Sequence, residues 1–327
     1  GLYEASINGK EVTADIFTPG WPDFKRRTLY QTYDVTKLLR KGKNVIGSIL
    51  GDGWYCGYLA WFNRQFYGDR PKLFSQLMLT YEDGSTEVIV TDNTWKTTTG
   101  PILESDIMMG ESYDARREIP YLNTSIGDHS KWDNIEIFPD PKILLVGKQG
   151  SPVRCIQEIK PVAEPSSKNV FDLGQNFAGR VRLIVSGPAG TTVTLRFAEM
   201  LKPDGKLYTE NLRTARSTEC YTLKGDGEEI YEPRFTFHGF RYVEVKNYPG
   251  KLTRDSITGI VIHSDMPETG TFQCSEPLIN QLQSNIVWSQ KGNFLDIPTD
   301  CPQRDERLGW TGDAQAFIRT AAFNMNV

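Results

Sequence analysis

Between Asp300 and Asp313 the chain reads Asp-Cys-Pro-Gln-Arg-Asp-Glu-Arg-Leu-Gly-Trp-Thr-Gly-Asp. Three aspartates, one glutamate, two arginines and a tryptophan share this stretch with one proline and two glycines. Neighbouring ionised carboxyls raise one another's pKa, and adjacent arginines lower it. If Glu306 faces a pocket while Arg304 and Arg307 serve other acids, its carboxyl stays protonated near neutrality, as a general acid requires. Trp310 adds a flat apolar face and an N–H donor, suited to a sugar. On composition alone the stretch also reads as an ion-paired structural loop, because alternating Asp, Glu and Arg commonly form a solvated or mutually paired surface. Pro, Gly and Trp in the same few residues weaken that reading, since surface charge runs rarely need all three.

The elements around this cluster are legible. Ser275-Glu-Pro-Leu reads as a helix start, with Ser275 as N-cap, Glu276 favourable to the dipole and Pro277 in the first turn. Ile279, Leu282 and Ile286 recur at helical spacing, which predicts a helix to about Lys291. Pro298 and Pro302 keep the next stretch non-helical. A second helix is expected from Thr311 or Gly312, with Ala314, Phe317, Ile318, Ala321 and Ala322 as its apolar face. The acidic cluster is therefore expected on a loop between two helices, where a rigid scaffold can hold catalytic groups.

Residues 1 to about 265 are strand-like. Short apolar or alternating runs such as Phe74–Tyr81, Arg180–Ser186 and Phe240–Lys246 are punctuated by Asn8-Gly9, Asp83-Gly84, Pro203-Asp-Gly205 and Gly225-Asp-Gly227. That spacing predicts antiparallel sandwiches rather than βαβ units. Asp34 to Arg40 reads as one short helical turn. A proline-rich passage from Trp132 to Pro161 marks a boundary. The expected division is 1–150, 151–268 and 269–327.

Length allows two or three domains, and a net charge of −4 without a basic stripe argues against nucleic-acid binding. No apolar run approaches the ~20 residues of a membrane span. Gly1 to Asn8 already reads as a strand entering a turn, so the sequence looks cut at its start and says little about targeting. Five widely spaced cysteines without a Cys-x-x-Cys pair predict free, buried thiols rather than a disulfide framework. With three histidines, a metal site has little ligand stock, and acid/base hydrolysis implies no cofactor.

The segment from Ile297 to Asp313 resembles the acid motif of bacterial α-L-rhamnosidases of glycoside hydrolase family 78. Leu29–Leu39 and Leu50-Gly-Asp-Gly-Trp-Tyr-Cys-Gly57 resemble that family's N-terminal, galactose-binding-like β-sandwich. Val170–Gly179 and Phe237–Glu244 resemble its next β-domain. The resemblance spans nearly the whole chain in the right order. It implies a mainly β fold: two antiparallel, jelly-roll-like sandwiches followed by the first helices of an (α/α)6 barrel truncated at Val327. It implies that Glu306 is the general acid and that Asp300, Arg304, Asp305, Trp310 and Asp313 surround the rhamnose. It also implies an inverting enzyme whose general base, a later Glu, lies outside this sequence, so that the fragment alone does not turn over. Its partners are then a rhamnose-containing glycan or glycoside and the barrel of its own chain. A periplasmic or extracellular location is expected, with the cytoplasm as the alternative. The competing reading is a non-catalytic carbohydrate-binding or scaffolding module with the 300–313 loop as a brace.

Weaker features remain open. Gly51 to Gly57 has the wrong glycine spacing for a dinucleotide loop. Trp54, Tyr55, Tyr58, Trp61 and Phe62 form either packed aromatics against another domain or a sugar platform. Gln175 to Arg180 reads as a structural turn, or else as a ligand contact or an interface with the barrel. Phe237-His-Gly-Phe-Arg241 reads as strand-edge packing, and His238 lacks a sequence-local acid. Asn123-Thr-Ser125 fits a glycosylation sequon.

Overall fold

The structure is a computed structural model that describes residues 1–120, 127 and 129–327; the Asn123 sequon lies outside the described residues. The fold is mainly β, with sheet-rich domains followed by two helices. Strand pairing among the described residues is antiparallel except at two places. Leu144–Gly147 runs parallel to Arg27–Tyr30, and Thr218–Thr222 runs parallel to Gly110–Asp114.

At the N-terminus Leu2–Ile7 lies between Lys10–Glu11 and Ile46–Gly51. Asn8 and Gly9 both have positive φ, 52° and 79°, as a two-residue hairpin turn of matching twist requires. Thr36–Leu38 forms one 3-10 turn, as expected for that stretch. Gly53–Cys56 is a one-turn helix.

A nine-stranded sheet forms the main scaffold. Its order is Val153–Ile159, Ile257–Ser264, Val170–Ser186, His238–Lys246, Thr192–Ala198, Thr218–Thr222, Gly110–Asp114 and Ile102–Asp106, with Glu228–Tyr231 paired to Val170–Ser186. The hydrogen-bonded sheet thus crosses the expected division at 150, because residues 102–114 join the strands of the following block. Gln175 to Arg180 is not a turn: it lies within the 17-residue strand Val170–Ser186, whose register shifts between Asp172 and Phe177. Phe171, Leu183, Leu195, Phe197, Phe240 and Val243 form its core on one face. The other core joins the N-terminal block to this sheet through Leu2, Phe17, Trp54, Phe235, Phe237 and Leu295.

Polar groups also tie the blocks together. Glu219, fully buried, accepts from the backbone N–H of Glu111, from Thr236 Oγ1 at 2.6 Å, and lies 2.6 Å from His238 Nε2. The acid missing from the sequence around His238 is therefore supplied across the sheet. His238 is buried against the Phe197 ring, 4.5 Å away and stacked, which makes it a core histidine.

The two helices are Pro277–Asn293 and Thr311–Asn324. Glu276, not Ser275, caps the first: its carboxylate accepts from the N–H of Leu278 at 3.1 Å, with Pro277 in the first turn. Phe294, Phe317, Ala321, Met266, Met325 and Val287 pack together beneath them. Ile279 and Leu282 keep the expected helical spacing but face outward, as do Ile318 and Phe323. No helix of the described residues is long and apolar enough to cross a membrane. All five cysteines are free; Cys56 and Cys301 are buried, whereas Cys155 is exposed, so uniform burial does not hold.

Candidate active site

The acid loop hangs between the helices on a chain of anchors. Asp296, at φ 69°, pairs with Lys148 and accepts from the backbone N–H of Trp21 at 2.6 Å. The loop's neck is closed twice: Asp300 N–H donates to the Leu308 carbonyl at 3.0 Å, and Leu308 N–H donates to Asp300 Oδ1 at 2.8 Å. Inside the neck Arg307 adopts φ 57° and is buried. Its guanidinium donates to the carbonyls of Phe237, Ile107, Arg304 and Gln303. Burial pulls its pKa down to about 10. Pro302 presses on Gly239, where an added Cβ would come within 2.6 Å of the proline ring. A glycine in the Phe237-His-Gly-Phe run is therefore a docking requirement of the loop.

Two further side chains fasten the loop to the second β-domain. Gln303 donates to Glu199 at 2.8 Å, and Glu199 also accepts from Asn176 at 2.9 Å. Asp305 is buried and accepts from Thr214 Oγ1 at 2.6 Å and from the Thr214 N–H at 3.3 Å, with Arg213 at 3.5 Å. Its carboxylate is thus committed to the protein, whereas Glu306 is partly buried and Trp310 exposed.

The remaining side chains of the loop converge on Glu306. Arg304 bridges two carboxylates, its Nε 2.9 Å from Glu306 and its Nη2 3.3 Å from Asp300. The other oxygen of Glu306 accepts from the Trp310 indole N–H at 3.0 Å. Arg213 approaches Glu306 to 3.4 Å. Burial raises the Glu306 pKa, but the hydrogen bonds from Trp310 and Arg304 and the charges of Arg304 and Arg213 outweigh it and hold the carboxyl below its ordinary value. Of the two arginines in the loop, Arg307 turns away to backbone carbonyls but Arg304 stays on Glu306, joined by Arg213, and in this arrangement the Glu306 carboxylate form is favoured. Trp310 is 41% exposed and stacks on Trp61 of the N-terminal block, centroids 6.2 Å apart at 20°. Asp313 sits on the exposed first turn of Thr311–Asn324, with no hydrogen bond or ion pair to the cluster among the described residues.

The geometry thus unites Asp300, Arg304, Glu306 and Trp310, leaves Asp313 at the rim and turns Asp305 inward. Asp300, Cys301 and Glu306 bring ligand atoms within 4.8 Å of one another. The Arg304 guanidinium already supplies the compensating cation between the two carboxylates. Sequence reasoning missed Arg213, Thr214 and Glu199, which lie about a hundred residues upstream and carry no local signal. Among the aromatics, Trp54 is buried and stacks on Trp21 at 5.8 Å and 7°, so it packs the domain core. Trp61 alone of that group reaches Trp310.

Three family models align along the chain in order. Residues 1–157 match the α-L-rhamnosidase N-terminal domain, 163–263 the bacterial α-L-rhamnosidase concanavalin-like domain, and 267–327 the bacterial α-L-rhamnosidase six-hairpin glycosidase domain. The chain carries the N-terminal and concanavalin-like domains and the start of the six-hairpin domain of the α-L-rhamnosidases of glycoside hydrolase family 78. An α-L-rhamnosidase of Streptomyces avermitilis is 49% identical over 329 residues, 99% of this chain and 32% of that protein. The crystal structure of the Streptomyces avermitilis α-L-rhamnosidase complexed with L-rhamnose matches with a TM-score of 0.96 at 48% identity, over 99% of this chain and 32% of that one. The α-L-rhamnosidase structure from Dictyoglumus thermophilum matches at 0.94 and 44% identity, over all of this chain and 37% of that one. The chain spans about a third of the length of these family members.

Proposed function

We propose that this chain carries the general-acid half of an inverting α-L-rhamnosidase that removes terminal α-L-rhamnosyl groups from glycans or glycosides. The observation that carries this reading is the partly buried cluster of Glu306, Arg304 and Asp300 beside the exposed Trp310, on a loop whose other side chains are fixed to the β-domains. Glu306 protonates the departing glycosidic oxygen. Asp300 and Asp313 accept from hydroxyls of the retained sugar, Arg304 donates to it, and Trp310 offers its exposed face to the apolar side of the deoxy sugar. Asp305 anchors the loop instead of touching sugar. The likeness to a structure complexed with L-rhamnose supports the sugar assignment.

Inversion requires a second carboxylate on the opposite side of the sugar, roughly 6.5–9.5 Å from the first, to activate water. Family resemblance assigns that role to a glutamate in the remainder of the barrel. A second carboxylate and a sugar that covers Glu306 both favour its protonated form, offsetting the arginines. In the full-length protein, Glu306→Gln should slow a rhamnoside with a basic leaving group by roughly 10²–10⁴. A substrate with a good leaving group should suffer much less. Equal slowing of both would move the acid to another residue.

A further inference from the structure

Arg213 belongs to the second β-domain, yet its guanidinium reaches both Asp305 and Glu306, at 3.5 and 3.4 Å. It does so from a backbone conformation that ordinary residues avoid. With φ 55° and ψ −114°, Arg213 occupies the first corner of a tight turn closed by the Ala215 N–H on the Leu212 carbonyl at 3.1 Å. Glycine suits that corner best, and a side chain persists there only where the surroundings hold it. The surroundings do hold it. Leu212 and Ala215 are buried against Met108, Ser217 N–H donates to the Met108 carbonyl at 3.1 Å, and Thr214 is clamped to Asp305. A strained residue fixed on both sides, with its charge delivered to the neighbour of its own anchor, is arranged for a purpose at the loop rather than in its own domain.

We propose that Arg213 is a positioning residue for Glu306, supplied by the second β-domain, and that it governs the pH at which the acid delivers its proton. The inference rests on the reading of Glu306 as the acid. The charged and titratable groups facing Glu306 are Arg304, Asp300 and Cys301 from its own loop and Arg213 from the neighbouring domain, with the neutral Trp310 indole on the second oxygen. Arg304 sets one positive charge against the two carboxylates of Asp300 and Glu306, and Arg213 brings a second cation to Glu306. Removing it favours the protonated acid, and a general acid works only while protonated. The alkaline limb of the rate profile must then move to higher pH.

The test uses the full-length enzyme and an α-L-rhamnoside with a basic leaving group, whose departure needs the acid, with kcat/KM measured across the alkaline limb. Arg213→Met keeps the side-chain length and removes the charge; Arg213→Lys keeps the charge. The expected result is a limb displaced to higher pH in the Met variant, so that its rate relative to wild type climbs with pH, and a limb near its original place in the Lys variant. An unmoved limb in Arg213→Met, or a raised KM with an unmoved limb, overturns the proposal, because Arg213 is then structural or a sugar contact. A Met variant that does not fold leaves the Lys variant and Arg213→Gln to decide on the same readout. Glu306→Gln separates the two levels. If it leaves the alkaline limb intact, the acid assignment fails; if it abolishes the limb while Arg213→Met does not move it, only the role of Arg213 fails.

Discussion

Arg307 and Phe237 are joined twice: the guanidinium lies 4.7 Å from the centre of the phenyl ring, and its Nη1 donates to the Phe237 carbonyl at 2.7 Å. This contact locks the acid loop onto the second β-domain. Because backbone carbonyls accept all its bonds, Arg307→Met leaves several buried acceptors without a donor, each worth roughly 1–3 kcal/mol. The variant should lose at least about 3 kcal/mol in denaturant unfolding of the full-length protein. Arg307→Lys should recover only part, since an ammonium cannot span four carbonyls. A loss under about 1 kcal/mol in the Met variant would show that the lock is dispensable.

Asp305 and Thr214 form the second lock. Asp305→Ala removes the acceptor for the Thr214 hydroxyl and N–H and should destabilise by about 1–3 kcal/mol. Thr214→Val tests the same contact from the other side. A double-mutant cycle should give an interaction energy of about 0.5–3 kcal/mol. If Asp305 contacted sugar instead, Asp305→Ala would raise KM strongly and the cycle would be additive.

Much of the fold and of the site was legible for a physical reason: local chemistry fixes it. Pro277 and the spacing of Ile279 and Leu282 announce a helix because those constraints act within a few residues. The concentration of carboxylates, arginines and Trp310 announces a site because such groups are costly to gather without use. What stayed hidden depends on long-range partners. No local pattern says that Asp305 turns to Thr214 while its neighbour Glu306 turns to Arg304 and Trp310, because the burial of the one carboxylate is set by a distant element. Likewise Glu276 outcompetes Ser275 as the cap through its own backbone geometry. The run Gln175 to Arg180 looks like a turn in sequence because a register shift inside a long strand uses the same polar and glycine residues.

The aromatic group divides cleanly. Trp54 is buried against Trp21 and Phe17 at the core between the blocks. Trp54→Ala should therefore cost about 3–5 kcal/mol in stability. Trp61 is exposed, and Trp61→Ala should cost under about 1 kcal/mol. It removes the face against which Trp310 stacks, so its effect should appear in kcat/KM while the melting temperature stays nearly fixed. The opposite pattern, a large melting shift for Trp61 and none for Trp54, would reverse the assignment.

Glu111 gives the chain a built-in response to pH. It is buried beside Glu219, and burial first, then the Glu219 charge, push its pKa from an ordinary 4.5 to about 8. Its carboxyl faces the Tyr231 hydroxyl at 3.2 Å and the Arg234 N–H at 3.1 Å. A folded-state pKa above the unfolded one means that the native protein binds the extra proton between those values. Stability linked to this group is therefore complete below about pH 4.5 and is lost as pH rises through about 8. Glu111→Gln cannot ionise and should remove that slope. The melting temperature of the wild type, minus that of the variant, should fall steadily as pH is raised through about 8. A difference that stays constant across that interval would mean that Glu111 is ionised in the folded protein at neutral pH, with the Arg234 N–H and the Tyr231 hydroxyl sufficient to hold its charge.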